Sequence, residues 1–185
     1  MISTSLIKKP INYDGTQLRS HFLRETTGIP GDGIMAFSGT CYVMGENLVD
    51  LEDAEASSSI VAQEMLHFIC EHFQIPLREM NYRLRLFITI MRETLSELAP
   101  QWTITRDGDD LYESGRKISV GIATVSATSA LFHCGINIDP EGAPVPAVGL
   151  NEFKVRPSEL ARRVLDAYQA ECESIELAVR KVRGV

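Results

Sequence analysis

Residues 108–137, GDDLYESGRKISVGIATVSATSALFHCGIN, are the stretch from which the fold is inferred. Tyr112 closes a first short strand, and residues 113–115 predict a turn because they pair Ser with Gly. Arg116 and Lys117 open a second strand over residues 117–125, and a third strand returns over residues 130–138. The stretch therefore predicts a small antiparallel β unit, and the rest of the chain is expected to support or enclose it.

Strand alternation divides the second and third strands into two faces, and a tight hairpin should keep like faces together. The predicted core face carries Ile118, Val120 and Ile122 together with Phe132, Cys134 and Ile136. The predicted open face carries Lys117, Ser119 and Gly121 beside Asn137, Gly135 and His133.

Small residues on the open face would let a ligand approach the sheet closely. Lys117 is a candidate to hold a carboxylate, a phosphate or a developing oxyanion as a point charge. His133 is a candidate acid, base or hydrogen-bond donor. The alternative at this point is a solvated sheet face with an incidental Lys and His.

The remaining segments predict an α+β fold, with a mixed or antiparallel sheet and helices packed on one face. Helical periodicity predicts helices over residues 60–73, 78–98 and 157–182, and a short helix is placed at 17–24. Two strands are predicted over 34–37 and 40–44, joined at Ser38-Gly39, and an edge strand over 149–155. A single domain over residues 1–185 is expected from the length.

A second group of polar residues lies in EMLHFICEH, residues 64–72. On a helix, Glu64, His67 and Glu71 would share one side. Asp50 and Asp53 lie upstream and offer further oxygen ligands, so a divalent cation held by Asp50, Asp53, Glu64 and His67 is one hypothesis. A solvated helix face is the other.

Composition excludes several classes of partner. The net charge is −7 and no basic patch is present, which argues against nucleic-acid binding and against adsorption to an anionic membrane surface. The four cysteines form no C-x-x-C pair and predict reduced, mostly buried thiols in a cytoplasmic protein. No apolar run is long enough for a membrane span.

Residues 108–119, GDDLYESGRKIS, resemble the segment of biotin–protein and lipoate–protein ligases written N-D-L-L-V-D-G-R-K-[IL]-[AS]-G. The return strand, and the step from His133 to Gly135, are similar to the same superfamily and to the octanoyl and lipoyl transferases. The chain is identified as a member of an uncharacterised prokaryotic family with this ligase-like fold, marked by DGTQL, GDGIMAF, LVDLED and MLHFICEHF.

The resemblance implies a class II synthetase-like catalytic domain that handles an acyl group. It implies that Lys117 contacts the carbonyl or acyl-phosphate oxygen of a bound acid, with His133 as a second catalytic candidate. It implies ligand-binding roles for Asp109, Asp110, Gly115, Arg116, Ser119, Gly121, Gly135 and Asn137. ATP with Mg²⁺, or a lipoyl- or biotinyl-type acyl group, is the implied cofactor chemistry.

The implied partners are a small carboxylic acid or acyl donor, with an acceptor protein and a homodimer left open. The leading hypothesis is a ligase or transferase. Because the glycine-rich loops G-R-G-R-x-G and R-R-x-[ST]-G-G-G are not found in the sequence, a non-catalytic binding protein of the same fold is the alternative. A metal-dependent enzyme centred on His67 and its neighbouring acids is the third hypothesis.

Overall fold

A computed structural model describes residues 2–184. The strands are β1 (Ser3–Leu6), β2 (Gly33–Met44), β3 (Ser59–Phe73), β4 (Ile104–Asp107), β5 (Asp110–Glu113), β6 (Arg116–Lys117), β7 (Ser119–Val125) and β8 (Ser129–Asp139). The helices are α1 (Phe22–Thr27), α2 (Leu51–Glu55), α3 (Leu77–Leu98), α4 (Leu150–Phe153) and α5 (Pro157–Arg180), with a 3₁₀ turn at Gly45–Asn47.

The main sheet has five strands in the order β1-β2-β3-β8-β7. The β1 strand pairs with β2 in parallel, and the other neighbours are antiparallel, so the sheet is mixed. A second sheet, β4-β5-β6, stands at the β7 edge, because β6 runs into β7 through Ile118. The predicted α+β fold with a mixed sheet is confirmed.

The two long helices, α3 and α5, cover one face of the main sheet. Phe87 of α3 anchors them, since its ring lies 5.0 Å from Phe68, 5.1 Å from Phe132 and 5.4 Å from Tyr168 between centroids. These four rings are fully buried. Aromatic contacts of this geometry add to the stabilisation from apolar burial and fix the helix layer on the sheet. The opposite face is covered by loops and by α1 and α2, and it is there that an open space remains.

The helix predicted over residues 60–73 is wrong, because the segment is the long strand β3. Residues 65–72 are all buried, on both faces of the strand. A strand buried on both faces reads as a nearly continuous apolar run, which periodicity does not separate from a helix. The predicted turn at Ser38-Gly39 is also wrong, since β2 passes through it with only a bulge between Gly39 and Cys41.

Two smaller predictions also differ from the structure. The short helix predicted at 17–24 begins instead at Phe22, after His21 in a left-handed conformation. The edge strand predicted at 149–155 is the helical turn α4, and the acidic segment 51–55 forms α2. The predicted helices over 78–98 and 157–182 are confirmed as α3 and α5, and within residues 2–184 no helix is both long and apolar enough to cross a membrane.

Candidate functional site

The β7–β8 hairpin has a register one residue away from the predicted one. Val120 pairs with Gly135 and Ile122 pairs with His133, so these four side-chain positions share a face. The turn sets this register through Ser126, whose hydroxyl accepts hydrogen bonds from the backbone N–H groups of Thr128 and Ser129 at 3.1 and 2.9 Å. A shift of one residue moves every side chain of a strand to the other face.

Ser119 and Gly121 therefore lie on the helix side and not on the predicted open face. The Ser119 hydroxyl is buried and accepts a hydrogen bond from the backbone N–H of Leu111 at 3.0 Å. A Cβ at Gly121 would lie 3.1 Å from the Asp109 carbonyl oxygen and 3.5 Å from Leu84. Both residues fit the small sheet against the large one, and Gly121 also contributes to the lining of the cavity described below.

Gly115 and Arg116 also have contacts and backbone conformations that support the fold. Gly115 has φ +79° and follows Ser114 with φ +48°, so the pair forms the tight turn between β5 and β6. Arg116 forms ion pairs with Glu113 and, at 2.7 Å, with Glu152. Neither residue lines the cavity described next.

A cavity of about 370 Å³ lies on the sheet face opposite α3 and α5, and we call it the sheet-face cavity. Its walls come from the β2–β3 connection with α2, from the loop 143–147, and from the small sheet. The apolar residues that the strands contribute to the lining are Val43, Ile60, Val61, Met65, Val120 and Ile122. Since β3 and β8 lie between β2 and β7, the cavity spans three strand spacings, or about 14 Å.

Lys117 lies at the β7 end of this cavity. Its ammonium is 2.8 Å from the Asp110 carboxylate, and both side chains are largely shielded, with 28% and 21% exposure. Burial raises the pKa of Asp110 above its usual range, and the hydrogen bond from Lys117 opposes this shift. Asp109, also in the lining, lies 3.6 Å from the Arg85 guanidinium. Lys117, Asp109 and Asp110 therefore lie at the same end of the cavity.

Asn137 and Gly135 lie on the cavity side of β8. The Asn137 side-chain amide donates to the carbonyl oxygens of Lys117 at 3.2 Å and Val148 at 3.4 Å, which holds the loop before Val148 against β6. A Cβ at Gly135 would lie 3.1 Å from the Met65 sulfur, so the glycine leaves room for that side chain. Asn137 also lines the cavity.

His133 and Tyr13 line the cavity, and the fully buried His67 packs behind them. The His133 ring stacks on Tyr13 with centroids 3.9 Å apart and an angle of 8°, and its Nε2 lies 3.0 Å from His67 Nδ1. His67 Nε2 lies 3.4 Å from the Gly39 carbonyl oxygen. Burial lowers the pKa of His67 to about 4, and burial and the neighbouring His67 lower the pKa of His133 well below its ordinary value.

The proposed metal ligands are not brought together. Because β3 is a strand, the prediction that Glu64, His67 and Glu71 share one side of a helix is wrong. Glu64 is exposed, whereas buried His67 bonds His133 and Gly39. Within residues 2–184 no group of three or more His, Cys, Asp or Glu side chains is placed to hold a metal ion.

Asp50 and Asp53 belong to the cavity through α2. The Asp50 carboxylate caps α2 by accepting from the backbone N–H groups of Glu52 and Asp53 at 2.8 and 3.2 Å. Both aspartates line the cavity at the β2–β3 end, away from Lys117. Among the lining residues, all within the described part of the chain, Lys117 is the one Lys or Arg, against four aspartates.

Tyr13 is a site residue that the sequence did not predict. It lies in a loop and bridges to Cys41 beside the bulge in β2, so no strand or helix period marks it. The sequence signal for the position of Tyr13 is Gly39, in the GTC segment after Ser38. A glycine at this position of β2 leaves room for the backbone of Ile11, which lies just before Tyr13.

Comparison with solved structures supports the fold. A protein of unknown function from Pyrococcus horikoshii superposes with a TM-score of 0.94 and 35% identity over 100% of both chains. The biotin protein ligase from Aquifex aeolicus, solved with biotin and ATP, gives a TM-score of 0.59 and 19% identity over 90% of this chain and 69% of that one. The Plasmodium falciparum protein LipL1, solved with lipoate, gives 0.58 and 10% over 100% of this chain and 63% of that one.

The expected resemblance to biotin and lipoate ligase catalytic domains is thus confirmed at the level of fold. The model of the family described as Domain of unknown function (DUF366) matches residues 2–183. The chain belongs to the DUF366 family.

Proposed function

We propose that the sheet-face cavity binds the acyl group of a small carboxylic acid, with the carbonyl oxygen at Lys117, and that the protein transfers this group to an acceptor. The observation that carries the proposal is a single lysine at the end of a cavity about 14 Å long, on a sheet surface whose side chains, such as Met65, Val120 and Ile122, are apolar. An apolar acyl chain fits this surface, and the ammonium can hold the oxygen at which negative charge develops.

The Asp110 carboxylate favours a neutral acyl carbonyl over a free carboxylate. Lys117 already has this counter-ion at 2.8 Å. A ligand carboxylate would add a second negative charge beside one ammonium, and like charges in a shielded site repel strongly. A carbonyl oxygen keeps the Lys117–Asp110 pair intact and gains a hydrogen bond from the ammonium.

The same charge argument favours a transferase over an ATP-driven ligase. Four aspartates and one lysine line the cavity, and Lys117 is already paired. These residues do not fit an unscreened triphosphate, because its negative charges would meet the carboxylates. We therefore infer that the acyl group arrives in an activated form.

Binding measurements on two matched variants test the proposal. Octanoyl, lipoyl and biotinyl adenylates are titrated calorimetrically into the wild type, Lys117→Ala and Lys9→Ala. Lys9 is exposed and lies outside the cavity, so its variant has the same charge change. Loss of the ammonium contact should weaken binding about tenfold or more in Lys117→Ala only. Equal affinity in all three proteins would refute the proposal.

The second candidate is a binding protein without catalysis, which the lack of the glycine-rich ligase loops favours. It is distinguished by following an activated acyl donor with and without candidate acceptors. Acyl transfer that is lost in Lys117→Ala supports the enzyme. Pyrophosphate release from ATP in the presence of a free acid would instead support the ligase reaction. Tight binding with neither reaction supports the binding protein.

A further inference from the structure

The Gly39 carbonyl oxygen, His67 and His133 form a hydrogen-bond chain whose direction is fixed at one end, and Tyr13 stacks on His133 beside it. A carbonyl oxygen only accepts, so the contact of Gly39 with His67 Nε2 places the proton on Nε2. Neutral His67 then presents an unprotonated Nδ1. His133 must donate to it from its own Nε2, which leaves His133 Nδ1 as a bare acceptor.

This acceptor and the Tyr13 hydroxyl have no hydrogen-bond partner within residues 2–184, although their side chains are only 3% and 4% exposed. Within the same residues no side-chain nitrogen or oxygen is both fully enclosed and without a partner. Both atoms therefore keep contact with open space. The sheet-face cavity is the space that both side chains line.

We infer that Tyr13 and His133 form a subsite for an uncharged polar group, such as a carboxamide or urea, at the far end of the acyl ligand. An N–H of the group donates to His133 Nδ1, and its carbonyl oxygen accepts from the Tyr13 hydroxyl. As a statement about the acyl ligand, this rests on the function proposed above.

The surroundings select an uncharged group. Burial raises the pKa of Tyr13, and the pKa of His133 is lowered, so both rings are neutral near pH 7. Their stacked rings offer no counter-ion to a charged group. A purely aliphatic end is disfavoured as well, because it would enclose two polar atoms without partners.

The position of the subsite implies a ligand of considerable length. His133 pairs with Ile122, which is five residues along the chain from Lys117, so the backbone positions of Lys117 and Ile122 are separated by up to about 16 Å. The inference therefore distinguishes acyl groups that end in an amide- or urea-type group from octanoyl-like chains.

The test uses two fragments of the same shape, pentanamide and 2-hexanone, which differ only in the N–H donor. Binding to ¹⁵N-labelled protein is followed through the imidazole nitrogens of His133. Pentanamide should bind at least about tenfold more tightly than 2-hexanone. It should shift the Nδ1 resonance of His133, and the ligand-free spectrum should show the Nε2–H tautomer.

Two variants separate this inference from the proposed function. Tyr13→Phe should weaken pentanamide binding about fivefold. Lys9→Ala, which removes an exposed positive charge outside the cavity, should leave pentanamide binding unchanged. The tautomer of His133 and the preference for pentanamide over 2-hexanone are both measured on the wild-type protein. Each of four results would overturn the proposed subsite: an Nδ1–H tautomer of His133, no binding of pentanamide, equal affinity for the two fragments, or equal pentanamide affinity in Tyr13→Phe and the wild type. These results do not depend on the effect of Lys117→Ala on adenylate binding.

Discussion

Acidification should destabilise this protein through His67. Its folded-state pKa is about 4, against an ordinary value of 6.5, because the ring is buried. Between these two pH values the unfolded chain binds the proton more readily than the folded protein. The free energy of unfolding therefore falls as pH falls through this window, and the contribution of His67 is fully present above pH 6.5.

The magnitude follows from the difference in pKa. A shift of this size corresponds to about 3 kcal/mol, at about 1.4 kcal/mol for each pH unit. The total stability of a domain is typically about 5–15 kcal/mol, so a loss of about 3 kcal/mol on acidification is large enough to measure. Buried carboxylates also respond to acid, and the contribution of His67 must be isolated by substitution.

The assay is denaturant unfolding at several pH values between 7 and 4, followed by the fluorescence of Trp102, the one tryptophan in the chain. His67→Gln removes the titrating group. Its free energy of unfolding should therefore fall by about 3 kcal/mol less than that of the wild type between pH 7 and pH 4. His21→Gln is the matched control, because it removes an exposed histidine and leaves the buried pair intact. If the wild type and His67→Gln lose the same free energy, the reasoning about this pair is refuted.

Three further substitutions test the packing around the site. Gly39→Ala should lower the free energy of unfolding, measured by thermal unfolding, by at least about 3 kcal/mol, because its Cβ would lie 1.9 Å from the backbone carbonyl oxygen of Ile11. Gly31→Ala is the control, since its Cβ would meet nothing within 4 Å, and it should change the stability by about 1 kcal/mol or less. Ser119→Ala should cost about 1–3 kcal/mol by leaving a buried N–H without a partner, and should leave adenylate affinity measured by calorimetry unchanged. Gly135→Ala should weaken adenylate binding and cost only about 1 kcal/mol of stability, because the new Cβ would displace the Met65 side chain into the cavity.

The sequence predicts the elements that have one buried face and one exposed face. Helices α3 and α5 were located within a few residues, because solvent on one side imposes a helical period on their side chains. The β3 strand lies at the middle of the sheet between α3 and the cavity-side core, so both of its faces are apolar and the period of two is lost. Misassigning this strand also produced the metal hypothesis, which depended on helical spacing.

The site divides in a similar way. Lys117, Asp109 and Asp110 lie close together in the sequence and are connected through one tight turn, so a local motif is sufficient to predict that they belong to one site. Tyr13 reaches His133 only through tertiary packing, because the two residues are 120 positions apart in the sequence and no local pattern records their contact.

The register of one hairpin determines which chemistry the open face carries. With the predicted register, Ser119 and Gly121 would have lined the sheet beside His133 and offered a small, polar surface. In the observed register, Val120 and Ile122 occupy those positions, and the small residues pack against the second sheet. The sheet surface that Val120 and Ile122 present to the cavity is consequently apolar, and polar groups lie around it: the Lys117–Asp110 pair at one end, Tyr13 with His133 further along the sheet, and Asp50 with Asp53 on the α2 wall. An acyl chain with a reactive carbonyl at one end and an uncharged polar group at the other fits the apolar surface between Lys117 and His133, and a compact polar ligand would instead leave either that surface or one of these polar groups unsatisfied.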